Sequence, residues 1–245
     1  MHTPHRSAAL LLALSATLLA GAAPASATGQ ADAWQAAVAS PSRSADDREA
    51  DAHRKPAAFL SFAQVRPGIK VLDLASGGGA TATLLAAAVG PQGEVWAQNP
   101  KPNEKLEARL EQGKVARLHA VVAGFADPVP AGTPPLDLIT INLSYHDIAN
   151  TPTDRAAMNK RLYEALKPGG VLVVVDNSAR KGAGLGATRT LHRIDEDTVV
   201  EEITRAGFKV DARSDAWRVP SDPREQAFFK MNGAPDDKFA IRFKK

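Results

Sequence analysis

The chain has no cysteine among its 245 residues. This excludes disulfides, a cysteine-ligated zinc site and a thiol nucleophile together. Aromatic residues are scarce, at 5%, so the core must be largely aliphatic. No charge of one sign dominates either. The 30 Lys plus Arg nearly balance 27 Asp plus Glu, and the net +3 is too small to build a nucleic-acid surface. Apolar residues still make up 44% and charged residues 23%, which excludes wholesale disorder. The length suits one α/β domain able to bury about 70% of its unfolded surface.

Long apolar runs are also missing, with one exception near the start. Ala8 to Ala20 is almost unbroken Ala and Leu after the basic Arg6. At about 13 residues it is shorter than the roughly 20 needed to span a bilayer. Pro24 and the small residues Ala25-Ser26-Ala27 follow, at the spacing a signal peptidase reads. Residues 1–27 are therefore expected to be a cleavable signal peptide. The processed protein would be periplasmic or secreted, with no stable membrane insertion. Residues 28–56 form a polar, alanine-rich arm, whose charged stretch Asp47, Arg48, Glu49, Asp51 and Arg54 reads as a solvated face.

From residue 57 onward strands alternate with helices. Lys70 to Leu74 is a short apolar strand, and a glycine turn and a helix over Thr81 to Val89 follow it. Further strands are expected at Glu94 to Gln98, His119 to Val122, Leu136 to Leu143, Val171 to Val175, Lys209 to Asp211 and Phe239 to Phe243. Such alternation implies right-handed crossovers and a largely parallel sheet. An unbroken apolar strand such as Val171 to Val175 fits a sheet covered on both faces. Ligands of such sheets lie outside the carboxyl ends of the strands, so function is sought just after them.

Four segments stand there. Asp73-Leu74-Ala75-Ser76-Gly77-Gly78-Gly79 follows the first strand, and its glycines allow a sharp turn and close approach to a ligand. Asn142-Leu143-Ser144-Tyr145-His146-Asp147 places an amide, a phenol, an imidazole and a carboxylate together. Asp176-Asn177 ends the fifth strand. Lys181 to Gly186, rich in glycine, reads as a mobile lid or a plain surface loop, ahead of His192-Arg193-Ile194-Asp195.

VLDLASGGGATATLLA resembles the first motif of class I S-adenosylmethionine-dependent methyltransferases, and ALKPGGVLVVVD resembles their Pro-Gly-Gly turn and fifth strand. Together with NLSYHD, LHRID and DKFAIRF, the ordered set is similar to an exported bacterial group of predicted methyltransferases. The resemblance implies a seven-stranded, mostly parallel Rossmann-like sheet with helices on both faces. It also implies S-adenosylmethionine as cofactor and a small-molecule acceptor.

By matching position, Asp73, Ala75, Ser76, Gly77 and Gly79 would surround the methionine end and ribose, with Ala75 in place of a glycine. Asn99, where the family has an acid, would meet the ribose hydroxyls. Asp127 would stand near the adenine amino group or simply make a loop turn before Pro128, and Asn142 would complete the cofactor side. Around the acceptor the residue types after the fourth strand point to Tyr145, to His146 as a proton acceptor of suitable unperturbed pKa or else a helix cap or satisfied core residue, and to Asp147. His192 is a second acid-base candidate or packs at a helix start, with Arg193 as a clamp or as the partner of Asp195. A site without metal is expected, although Asp176, Asn177 and Asp147 offer oxygen ligands to a hard cation. The replacements at Ala75 and Asn99 leave open a second function, an exported ligand-binding protein without catalysis. A nicotinamide-dependent oxidoreductase also uses a glycine turn but does not explain the Pro-Gly-Gly segment.

Overall fold

A computed structural model describes residue 2 and residues 27–112 and 115–245. The expected signal peptide, apart from His2 and Ala27, lies outside them. Four short helices open the described chain: α1 (Ala27–Val38), α2 (Ala45–Glu49), α3 (Asp51–Arg54) and α4 (Pro56–Phe62). The alternating part runs β1 (Lys70–Leu74), α5 (Ala80–Val89), β2 (Glu94–Asn99), α6 (Glu104–Glu111), β3 (Leu118–Val122) and β4 (Leu136–Asn142). It continues through α7 (Tyr145–Ala149), α8 (Arg155–Ala165), β5 (Leu166–Asn177), α9 (Thr188–Leu191), α10 (Glu196–Arg205), β6 (Lys209–Arg213) and β7 (Lys238–Lys244). The seven strands form one sheet in the order β3-β2-β1-β4-β5-β7-β6. All pairs are parallel except those of β7, which runs antiparallel to both β5 and β6.

The apolar strands are explained by burial on two faces. Val71, Val95, Leu138 and Val173 join Leu85 and Val89 of α5 in one core. The alternate residues Leu72, Leu74, Ile139, Ile141, Leu172 and Val174 join Met158 and Leu162 of α8 and Ile203 of α10 in the other. Each fully buried aliphatic side chain contributes about 1.5–3 kcal/mol. Local signals fix the helix starts: Asn103 accepts from Lys105 N and Leu106 N, and Asp154 accepts from Ala156 N and Ala157 N.

Two local expectations change. The Pro-Gly-Gly segment belongs to β5, where Leu166 pairs with Leu136 across a register shift before the regular ladder resumes at Val171. The arm also is not simply solvated. Trp34 Nε1 and Gln30 Nε2 both donate to Val65 O, and Ala37, Arg43 and Asp47 are buried. Among the described residues no helix is long and apolar enough to cross a membrane.

Candidate active site

The strand order reverses between β1 and β4, and the segments leaving their carboxyl ends diverge there to open a cleft. Asp73 stands one residue before the end of β1, at the cleft floor. Its Oδ1 accepts from Thr140 Oγ1 at 2.7 Å and its Oδ2 from Ser76 Oγ at 2.6 Å. Burial pushes its carboxyl up to about 6, against the opposing pull of those two hydroxyls and of the Arg54 charge. Ala75 takes a left-handed φ of 53°, a conformation glycine adopts without steric cost. Its N–H is held by Gln98 Oε1. Gly79 begins α5 at φ 81°, and a Cβ there would stand 2.7 Å from Leu106 Cδ1. A side chain at 79 would thus be strained at that φ and would force the Leu106 side chain of α6 to move.

Asn99, at the end of β2, spends its amide on the loop backbone. Its Oδ1 accepts from Gly77 N at 2.8 Å, and its Nδ2 donates to Gly77 O at 2.9 Å. The ribose contact expected of this residue is replaced by a clamp that sets the turn.

Two cavities lie above this floor. One, of about 340 Å³, is bounded by Asp73, Ser76, Gly77, Gly78, Asn142 and Ser144, with Asp46 and Arg54 of the arm across from them. Asp47 holds the arm down, accepting from Arg109 Nη1 and Nη2 of α6 at 2.6 and 2.7 Å. The second, of about 330 Å³, is bounded by His53, Asn177, Phe228, Ala234, Asp236 and Lys238. Ala50, Arg54 and Leu143 border both. Leu143 also has a left-handed φ, 60°, so two strained residues, Ala75 and Leu143, flank the cleft.

The first cavity suits S-adenosylmethionine. It has the size of a small-ligand pocket, and its floor is a loop where Gly77 at φ 56° has nothing within 4 Å of an added Cβ. Carboxylates at Asp46 and Asp73 and the guanidinium of Arg54 match an amino-acid end bearing both charges. The Arg54 side chain makes no hydrogen bond or ion pair among the described residues. It lies near enough to Asp73 to favour the carboxylate.

Beyond Leu143, α7 carries a polar cluster. Asp176, wholly buried, accepts from His146 N at 2.9 Å and lies 2.6 Å from His146 Nδ1. Burial disfavours the imidazolium, but the Asp176 carboxylate and then Asp147 outweigh it and raise the pKa of His146. His146 Nε2 is 3.3 Å from Asp147 Oδ1, and His192 Nδ1 is 3.5 Å from the same oxygen. The His192 ring meets His146 edge-on at 5.5 Å and Phe229 at 5.3 Å, and Phe229 in turn packs on Phe228.

Of the residues expected here, Asp73, Ala75, Ser76, Gly77 and Asn142 border the first cavity. His146, Asp147 and His192 meet in the cluster. Others are placed elsewhere. Tyr145 faces the core: its hydroxyl donates to Glu202 Oε2 and accepts from Asn159 Nδ2, and burial, then the Glu202 charge, raises its pKa. A helix residue next to His146 points about 100° away from it, which turns the phenol inward. Asp127 is exposed and paired with Arg161 of α8. Arg193 is wholly buried and bound to Asp222 at 2.8 Å, so it is neither an acceptor clamp nor the partner of Asp195. Asp195 instead caps α10 and accepts from Gly182 N and Gly184 N, which ties down the loop expected to be a lid. Asp176 is committed to His146, and Asn177 Nδ2 to His192 O.

Sequence reasoning missed Arg54 and Arg109. Their charges sit among others on exposed-looking helices, and only the fold turns them toward the glycine loop. A trough of about 980 Å³ between α8 and α10 is larger than either cavity. It opens on the outer helix layer, away from the strand ends, and carries none of this chemistry.

The ubiE/COQ5 methyltransferase family model matches residues 51–189, from α3 to α9. Among curated proteins, a ubiquinone/menaquinone biosynthesis C-methyltransferase of Bordetella avium is 35% identical over 136 residues, 54% of this chain and 51% of that protein. The Xylella fastidiosa (strain M23) protein of the same name is 32% identical over 124 residues, 49% and 47%. The chain thus spans about half the length of the curated relatives it matches. Among solved structures, an S-adenosylmethionine-dependent methyltransferase of Aquifex aeolicus superimposes with a TM-score of 0.59 at 17% identity, covering 80% of this chain and 92% of that one. Aeropyrum pernix fibrillarin, solved with natively bound S-adenosyl-L-methionine, gives 0.50 at 15%, covering 76% and 74%. These two share the fold. With the glycine loop, the reversal of strand order and more than half the sequence matched, this chain belongs to the ubiE/COQ5 methyltransferase family.

Proposed function

We propose that this protein transfers a methyl group from S-adenosylmethionine to a small ring compound bearing a hydroxyl group. The observation that carries the reading is the pair of cavities sharing the Ala50–Arg54–Leu143 wall. One suits a charged nucleoside, and the other is bordered by Phe228 and by polar groups. When bound, the cofactor supplies an electrophilic methyl group on a positively charged sulfur, and the acceptor gives up one proton for the methyl it gains.

The chain's own contribution is placement. Asp73 and Arg54 hold a zwitterion, the Asn99 clamp fixes the loop beneath it, and Leu143 sets the boundary across which the partners meet. Asn177 Oδ1 and Asp236 Oδ2 are buried without hydrogen-bond partners among the described residues. Both residues border the second cavity, where a small turn of either side chain would offer an acceptor to a ligand that donates hydrogen bonds. The named relatives are C-methyltransferases of ubiquinone/menaquinone biosynthesis, which agrees with a hydroxylated ring as acceptor. The second cavity draws Phe228, Asp236 and Lys238 from beyond residue 189, where the family match ends.

Calorimetric titration of the full chain with S-adenosylmethionine and S-adenosylhomocysteine tests the cofactor half. Transfer of a labelled methyl group to a panel of dihydroxybenzenes and naphthoquinols tests the rest. Absence of binding by either nucleoside at millimolar concentration overturns the reading. One observation favours a second function, ligand binding without catalysis: the Asn99 amide is spent on Gly77. Nucleoside binding with no transfer to any acceptor would select it.

A further inference from the structure

We propose that His146, Asp147 and His192 form a binding site for one divalent first-row transition-metal ion. Each residue offers one ligand atom, and the three atoms lie within 4.8 Å of one another. The two approaches to Asp147 Oδ1, 3.3 Å from His146 Nε2 and 3.5 Å from His192 Nδ1, are not hydrogen bonds, yet they match a coordination polyhedron. Tetrahedral ligands at about 2.05 Å from a zinc ion are separated by about 3.3 Å. Both imidazole nitrogens stand near that spacing from Asp147 Oδ1, and all three donor atoms lie within 4.8 Å of one another.

The surroundings support the assignment. Asp176 lies 2.6 Å from His146 Nδ1, which puts that proton on Nδ1 and leaves the Nε2 lone pair toward Asp147. Such a carboxylate behind a ligating imidazole orients the ring and raises its basicity. Asp176 is itself fixed by accepting from His146 N and Asn177 N. His192 is held by its carbonyl, which accepts from Asn177 Nδ2, and by a left-handed φ of 51°. The same left-handed conformation ends α9, for which His192 is the C-cap. Two imidazoles and one carboxylate form the donor set that selects zinc, iron(II) or cobalt over calcium or magnesium. Three protein ligands leave at least one position for water or a hydroxyl group. The Asp147 side chain is 57% exposed and that of His192 37%, so the open side faces solvent.

The site differs from the expected absence of metal, and from the Asp176–Asn177–Asp147 oxygen set that the sequence offered. It stands on this cluster alone, and the test needs no methyl donor, so its failure and that of the methyl-transfer reading are separate results.

The full chain, without an affinity tag, is dialysed against Zn²⁺ or Co²⁺ and compared with two variants. Asp147→Asn keeps the shape of the side chain, and His192→Asn suits a left-handed backbone. His119→Gln serves as a control for adventitious imidazole binding. The expected result is one equivalent of tightly bound ion in the wild type and in His119→Gln, with visible Co²⁺ d–d bands. Affinity falls at least tenfold in each cluster variant, and the imidazole ¹⁵N resonance of His146 Nε2 shifts on adding Zn²⁺. Equal stoichiometry and affinity in wild type and cluster variants overturns the proposal, as does an unshifted Nε2 resonance at saturating Zn²⁺. Circular dichroism at each step confirms that the variants are folded. Should His192→Asn not fold, Asp147→Asn and the wild-type resonance decide.

Discussion

Asn99 and Gly77 exchange two hydrogen bonds, the amide oxygen taking the glycine N–H and the amide nitrogen giving to the glycine carbonyl. No carboxylate can make both. Asn99→Asp, although closer to the family pattern, sets a buried charge against the Gly77 carbonyl and loses a donor. It should cost about 1–3 kcal/mol, read as a lower urea midpoint at unchanged slope. A variant as stable as the wild type would show that the clamp is not needed to hold the loop.

Asp73 gives the fold a pH dependence of definite sign. Its carboxyl rises from the ordinary 3.8 to about 6 on folding, so between those values the native state holds a proton that the unfolded chain has lost. Its contribution to stability therefore falls as pH rises through that window, by about 3 kcal/mol in all. Urea unfolding at pH 4 and pH 7.5 of wild type and Asp73→Asn isolates this term. The difference between the two proteins should shift toward the variant at the higher pH.

Arg109→Ala leaves Asp47 buried without its bidentate partner. Burial raises the carboxyl pKa, but the Arg109 bonds and charge, with the Ser44 contacts, outweigh it and hold it below the ordinary value. The variant should lose about 3 kcal/mol, and limited proteolysis should cut first within residues 40–55. The pair's contribution is present at neutral pH and disappears as the medium is acidified through the range where Asp47 takes up a proton.

Arg54→Gln should behave in the opposite way. The guanidinium has no hydrogen bond to lose, so thermal stability should stay within about 0.5 kcal/mol. Affinity for S-adenosylmethionine should weaken about tenfold or more through the lost charge-assisted contact. Paired calorimetry and melting curves check both halves.

Ala75→Gly relieves a left-handed backbone that costs an alanine about 1 kcal/mol or more, offset in part by the freedom glycine gains when unfolded. A small rise in melting temperature is expected. A clear fall would mean that the Ala75 methyl packs usefully against the second core.

What the sequence made legible was local. Periodicity and turn residues located every strand, and the glycine turn after β1 marked the cleft. The juxtapositions that give the cleft its chemistry were not legible. His146 and Asp176 are thirty residues apart and meet because β4 and β5 are parallel neighbours whose ends lie side by side. Arg193 carries a full charge into the interior because Asp222, distant in sequence, waits for it. The charged arm reads as a wet surface until Asp47 finds Arg109. In each case the deciding partner arrives through topology, which composition and spacing do not encode. Tyr145 shows the converse: one step along a helix separates a residue of the cleft from one of the core.

The partition formed by Ala50, Arg54 and Leu143 has a thermodynamic corollary. Guests on the two sides would meet the same three residues, and whatever effect occupancy of one chamber has on affinity in the other is equal in both directions. With Arg54 bordering both compartments, whichever guest comes first would shape the reception of the other.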